Sequence, residues 1–321
     1  MRVGNSSHRR RHERTTGGKR RPVCFVFLDG VGLAPAHGSN PLAQAAMPNV
    51  HRLLGGPMVA DQSVDRDGLL LLPLDACLGV EGLPQSGTGQ TALFTGVNAA
   101  ALVGAHVAAY PTETLRQVIA GHSLLKRATD HGLRATFANA YTGTYWQRVA
   151  QRKLRHSAST LTTMAAGLRF RTLDDLERGE AVYWDITHEV MRSFLGLDVP
   201  LLETEEAGRR LARLVAAHDL VLFESFLTDL AGHRRLPQPT EKVLSLLDRF
   251  LGGLLETLPD EATLVLSSDH GNLEDSSTRA HTLNPVPLLV VGPAAASFRR
   301  AHAITEVTPG ILHWLGVRDH L

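Results

Sequence analysis

Cysteine is scarce: the 321 residues contain two, Cys24 and Cys77. That excludes a disulfide scaffold, and the pair has no metal-ligand spacing, so a reducing, cytoplasmic setting is expected. Long apolar runs are also missing. Nothing approaches the roughly 18 apolar residues that a membrane-spanning helix requires. The longest runs, Val23–Leu28 and Val286–Val291, have strand length. At six residues, Val23–Leu28 is also too short for the core of a secretory leader, and Asp29 follows it at once. Net charge is nearly absent, at +1. Hydrophobic residues at 43% and charged residues at 20% exclude wholesale disorder. The length suits one large α/β domain or two small ones.

The small net charge hides an asymmetry. Residues 1–21 carry eight basic side chains and one acid, Glu13, so the rest of the chain is acidic. The tail reads as a disordered extension or a misassigned start. A tether to nucleic acid or anionic lipid is the sharper alternative. Acid is missing again from Thr142–Arg171, which contains Arg148, Arg152, Lys153, Arg155, Arg169 and Arg171.

From Pro22 onward, strands alternate with helices. Val23–Leu28 reads as a central parallel strand, and Leu69–Leu74, Ala135–Ala138, Leu220–Phe223, Thr263–Ser267 and Val286–Val291 as further strands. Helical spacing or capping marks Met47–Leu54, Gln90–Asn98, Glu113–His131, Glu205–Ala217, Glu241–Leu258 and Thr305–Leu315. The pattern predicts an α/β fold, with a doubly wound, mostly parallel sheet flanked by helices. The expected division is a basic tail at 1–21, a core from 22–141 and 202–321, and a small basic insertion or cap at 142–201.

Four segments put acids and histidines beside strand ends. They are Asp29-Gly30-Val31-Gly32, Asp229 to His233, Asp269-His270-Gly271-Asn272, and His281 to Pro287. Ligands of open α/β sheets bind at the carboxyl ends of strands. Three Asp and three His converging there suit divalent cations such as Mn²⁺ or Zn²⁺. Each segment alone reads as an ordinary polar turn; all four together do not. A fifth segment, Gly82 to Leu93, is a glycine-punctuated loop running into a helix. A helix N-terminus suits a phosphate, and a hydroxyl there suits a nucleophile. Ser86, Thr88 and Thr91 compete for that role on spacing alone.

These segments, in this order, resemble the alkaline phosphatase superfamily, in the branch of cofactor-independent phosphoglycerate mutases and phosphopentomutases. Asp269-His270-Gly271-Asn272 with His281-Thr282 and Asn284-Pro285-Val286-Pro287 is the most specific part of the likeness. The resemblance covers residues 22–141 and 202–316 and little of the region between. It implies two divalent cations. By that resemblance Asp229, His233 and His281 hold one; Asp29, Asp269 and His270 hold the other, completed by the oxygen of Thr91, which aligns with the nucleophile. It also implies phosphoryl transfer through a phosphothreonine. Arg148, Arg152, Lys153, Arg155, His156 and Asn272 are expected to contact a small phosphorylated substrate. Mutases of this branch carry a large second domain, whereas about sixty residues are spare here. A phosphatase or phosphodiesterase is therefore expected ahead of a phosphomutase. A non-catalytic nucleic-acid-binding module is the reading from another class. Nothing in the sequence fixes an oligomeric state.

Overall fold

The computed structural model describes residues 20–318. Seven strands form one sheet: β1 (Val23–Leu28), β2 (Val64–Arg66), β3 (Leu69–Leu74), β4 (Ala135–Phe137), β5 (Leu220–Ser225), β6 (Thr263–Ser267) and β7 (Val286–Val291). Their order is β2-β3-β7-β6-β1-β5-β4. The strands β6, β1, β5 and β4 run parallel, whereas β7 is antiparallel to β6, and β3 and β2 continue antiparallel from it. The sheet is thus mixed. The reversal of β7 matters for the site. Because β7 enters from the end at which β6 leaves, the residues just before it meet the carboxyl edge of the parallel strands.

β1 is central because both of its faces are apolar. Cys24, Val26 and Leu28 join one core, and Val23, Phe25 and Phe27 join the other, each at most 3% exposed. The first core is closed by the helices Thr204–Ala217 and Thr240–Thr257. The second is closed by Ser86–Thr95, Glu113–His122, Leu124–Asp130 and Val307–Trp314. Phe94 meets Phe27 edge to face, with ring centroids 5.2 Å apart. Such a pair adds about 1 kcal/mol beyond burial. It fixes the Ser86–Thr95 helix on β1 with its N-terminus over the carboxyl edge.

Two expected helices differ from the sequence reading. The expected Glu113–His131 helix is broken at Ser123, whose extended backbone (ψ 143°) ends one helix and opens the next. The helix expected from Gln90 starts at Ser86, with consequences described below. Residues 142–201 carry four short helices and join the β4 edge through the bridges Asn139 to Val182 and Ala140 to Arg171. They bury a small apolar cluster of Ala140, Leu176, Ala181, Tyr183, Met191 and Val199. Most of the basic tail lies outside the described residues. Of its cations, Arg20 donates to the carbonyls of Ala216 (2.8 Å) and His218 (2.7 Å), and Arg21 lies over the Trp314 ring. Those two are thus anchored to the surface of the folded core. Among the described residues, no helix is long and apolar enough to cross a membrane.

Candidate metal centre

Asp29 follows β1 directly and is 5% exposed. Gly30 turns the chain there with φ +71°, and a Cβ on it would lie 2.9 Å from Asp229 Oδ1. The next contributors are Asp269 and His270, both fully buried just beyond β6. Asp229 lies in the Leu227–Gly232 helix after β5, and His233 caps that helix. His281 precedes β7.

These side chains converge. His270 Nε2 is 3.3 Å from Asp29 Oδ1 and 3.5 Å from Asp269 Oδ2. Asp229 Oδ1 is 3.3 Å from His233 Nε2 and 3.7 Å from His281 Nε2. Ligand atoms of Asp29, Asp269 and His270 lie within 4.8 Å of one another, as do those of Asp229, His270 and His281. His270 therefore reaches both groups, and its ring stacks on His281 at 3.7 Å.

The donor chemistry fits cations. His233 Nδ1 is 2.7 Å from the Arg279 carbonyl, and His281 Nδ1 is 2.7 Å from the Pro84 carbonyl. Each Nδ1 must donate, which leaves a lone pair on each neutral Nε2. Those two nitrogens are 3.3 Å apart, beside the Asp229 carboxylate. A shared cation turns that repulsion into attraction. In the other group, Asp29 Oδ1 and Asp269 Oδ2 are buried without hydrogen-bond partners. Orphaned buried acceptors cost stability unless something binds them.

Protonation follows the same logic. Burial, with repulsion from Asp269, Asp229 and Glu224, pushes the Asp29 carboxyl well up. Burial and the Asp229 charge raise Asp269 to about 7. Burial also raises Asp229 and lowers both His270 and His281. Without a cation, the carboxyls favour their neutral forms and so do the imidazoles.

The supporting contacts are specific. Gln90 Nε2 donates to Asp29 Oδ2 at 3.0 Å, and Asn272 Nδ2 to Asp229 Oδ1 at 3.3 Å. Glu274, which sequence reasoning missed, is fully buried and ties three ligand loops together. It accepts from the backbone N–H groups of Gly32 (2.9 Å) and Asn272 (2.8 Å), from Asn284 Nδ2 (3.1 Å) and from the Thr282 hydroxyl. Its signal was its place two residues after Asn272.

Thr91 is not at the site. Its hydroxyl is fully buried and donates to the Gly87 carbonyl at 2.6 Å, one turn back in its own helix. The cause is the earlier helix start. Glycines disfavour helices, so Ser86 to Gln90 reads as a loop. Here Gly89 serves close packing instead: a Cβ on it would come 2.7 Å from the Asp269 carbonyl oxygen. Thr91 thus falls in mid-helix, and Ser86 becomes the first helical residue. Ser86 Oγ lies 3.0 Å from His270 Nε2.

Beside the cluster is a cavity of roughly 390 Å³, lined by Asp29, Ser86, Gln90 and Asp229 on the core side. Its opposite wall comes largely from the 142–201 region, where Tyr145, Tyr183 and Trp184 stand beside Thr142, Leu154, Arg155, Ser157 and Thr160, and Tyr141 and Phe226 border it. Of the expected substrate contacts there, Arg155 lines the cavity; Arg148, Arg152, Lys153 and His156 do not. Arg148, Arg152 and Lys153 are exposed, and His156 Nδ1 pairs with the Tyr145 hydroxyl at 2.9 Å. The remaining cations of the segment are structural. Arg169 pairs with Asp175 at 2.7 Å, and Arg171 is buried against the Phe137 carbonyl.

Residues 192–319 match the family model described as the Metalloenzyme superfamily. In sequence the chain is similar to the 2,3-bisphosphoglycerate-independent phosphoglycerate mutase of Roseobacter denitrificans, 28% identical over 157 residues, which are 45% of this chain and 31% of that protein. It is also similar to that of Desulforudis audaxviator, 30% identical over 126 residues, 37% of this chain and 25% of that one. The matches thus span less than a third of those relatives. In fold, a Pyrococcus horikoshii protein aligns with TM-score 0.57 at 16% identity, over 94% of this chain and 98% of its own. Phosphoglycerate mutase of Leishmania mexicana aligns with TM-score 0.55 at 12% identity (94% and 96%). The alkaline phosphatase of the Antarctic bacterium TAB5 gives 0.51 at 12% (94% and 100%).

Proposed function

From the premise that the chain belongs to the alkaline phosphatase superfamily, in its phosphoglycerate-mutase-like branch, we propose that it is a metal-dependent phosphohydrolase acting on a small phosphate ester through a phosphoserine at Ser86. The observation that carries this reading is the Ser86 hydroxyl, 3.0 Å from His270, at a helix N-terminus on the rim of a cavity. Thr91, whose hydroxyl is turned into its helix, has no part in it.

Asp229, His233 and His281 would hold one divalent cation, and Asp29, Asp269 and His270 the other. An Asp/His donor set accepts Mn²⁺ and Zn²⁺ alike. When bound, such cations lower the pKa of a nearby hydroxyl and offset phosphate charge. The chain's own groups do the rest. Ser86 Oγ forms the new bond to phosphorus as the ester oxygen leaves, and water then takes the phosphoryl group from Ser86. The positive end of the Ser86–Thr95 helix favours the anion at its first residue. Gln90 holds Asp29, and Asn272 holds Asp229, in their ligating poses. Arg155, on the opposite wall, supplies the positive charge that a phosphate dianion calls for.

Water as acceptor needs no second substrate site, which favours hydrolysis over mutase chemistry. The test is aryl phosphate hydrolysis by chelator-stripped protein with Mn²⁺ or Zn²⁺ restored. Inorganic phosphate released in step with the alcohol supports a hydrolase. Isomerised phosphoglycerate or pentose phosphate without phosphate release would support the mutase instead.

A further inference from the structure

The cavity wall facing the metal centre is not the polycationic surface that a phosphorylated carboxylic acid calls for. It presents Tyr141, Tyr145, Tyr183, Trp184 and Phe226, and among the described lining residues Arg155 is the one Lys or Arg. Two of the tyrosine hydroxyls are already engaged. That of Tyr141 pairs with Thr160 at 2.7 Å, and that of Tyr145 with His156 at 2.9 Å. What these residues offer a ligand is ring surface.

Among the rings sits a carboxylate that the metal centre does not use. Glu224 lines the cavity and is 3% exposed. It lies outside both groups of candidate ligands, and its Oε2 is buried without a hydrogen-bond partner. Its backbone is clamped by Asn139, which accepts from Glu224 N at 3.0 Å and donates to Glu224 O at 2.8 Å. The carboxylate is thus held at the end of β5. Ser159 supports the carboxyl, and the Oε2 left unpaired among aromatic side chains suits one kind of ligand group: a cation with organic substituents, attracted by the carboxylate and by the aromatic rings. Burial raises the free Glu224 carboxyl to about 8, so a bound cation and loss of that proton favour each other, and the comparison below is made at about pH 9, where the carboxylate also repels a second anionic group.

Resting on the phosphohydrolase reading, we propose that this cavity seats the alcohol part of the substrate as an organic cation, an aminoalkyl or quaternary ammonium group held against Glu224. The charges agree. Asp29, Asp229 and Asp269 answer the divalent cations, and Glu224 is left to answer the substrate. The cavity volume lies at the small end of the range for small-molecule sites.

The experiment compares choline phosphate with its uncharged carbon isostere, 3,3-dimethylbutyl phosphate, on the metal-loaded full chain. The expected result is a kcat/KM ratio of at least about tenfold in favour of choline phosphate. Glu224→Gln should bring that ratio towards one, and Trp184→Leu should reduce it independently. Calorimetric titration with choline and with 3,3-dimethylbutanol gives a readout that needs no turnover: choline alone should bind. Equal use of the isosteres, or equal binding of the two alcohols, overturns the proposal. So does a third divalent ion per chain that is lost in Glu224→Gln, since Glu224 would then be a metal ligand. If no phosphate ester is hydrolysed while choline still binds, the phosphohydrolase reading falls and the cation subsite stands.

Discussion

Replacing Glu274 by Gln is expected to loosen both metal positions at once, although Glu274 is a ligand to neither. Its carboxylate receives four donors, from Gly32, Asn272, Thr282 and Asn284. Gly32 lies three residues after Asp29; Asn272 follows His270 and holds Asp229; Thr282 follows His281. The glutamine keeps the shape but turns one oxygen into an NH₂ that cannot accept. At least one buried N–H or hydroxyl then loses its partner, at about 1–3 kcal/mol each, the higher figure applying to a charged acceptor. Glu274→Ala strips all four donors, and roughly 3–5 kcal/mol is expected, since relaxation and water recover part of the sum. The metal consequence is larger in proportion. Loss of groups that orient ligands weakens metal binding by about 10–100-fold. Calorimetric titration of Mn²⁺ into stripped wild type and Glu274→Gln reads the affinity, and melting with chelator reads the fold. Wild-type Mn²⁺ affinity in the Gln variant would refute the clamp. So would a weakened affinity confined to one of the two positions.

Three further expectations concern pH, the cap cations and Thr91. In metal-stripped protein, Asp269 is raised to about 7 and Glu224 to about 8. Groups raised in this way lend stability at low pH and lose it as pH rises through the folded value. The lowered His270 and His281 act in the opposite sense, but only below their ordinary 6.5. Between pH 6.5 and 8, stripped protein should therefore lose stability as pH rises, and metal should remove the share of Asp29 and Asp269. Thermal melts at the two pH values, with and without metal, check this; a flat profile for the stripped protein contradicts it. Arg155→Ala should raise KM for an aryl phosphate several-fold, whereas the exposed Arg152→Ala should not, and equal effects would return the role to the whole basic segment. Thr91→Val should leave turnover within about twofold and cost about 1 kcal/mol of stability through the lost bond to Gly87.

Much of this was legible because the relevant signals are local. The apolar runs of β1, β6 and β7, each followed or preceded by Asp or His, placed these Asp- and His-bearing loops at one sheet edge. The choice of Ser86 over Thr88 and Thr91 as the proposed nucleophile was not legible. Two glycines in Ser86 to Gln90 look like a loop, and their use for close helix packing, Gly87 against the Val107 carbonyl and Gly89 against Asp269, is a tertiary fact. The break at Ser123 was hidden because apolar periodicity continues through it. The aromatic wall was hidden for another reason. Tyr141, Tyr183 and Phe226 come from separate stretches, and only the bridges that seat residues 142–201 on the β4 edge bring them to one cavity. The charge of Thr142–Arg171 was visible, but sequence does not tell a rim cation such as Arg155 from a structural one such as Arg171.

The most direct test is to trap the covalent intermediate. Metal-loaded protein is mixed with a good aryl phosphate, quenched in acid at short times, digested and mapped by mass spectrometry. The expected result is a phosphate on Ser86 that forms only with metal present and is absent in Ser86→Ala. Phosphate on Thr91 or Thr88, or turnover that persists undiminished in Ser86→Ala, would contradict the account.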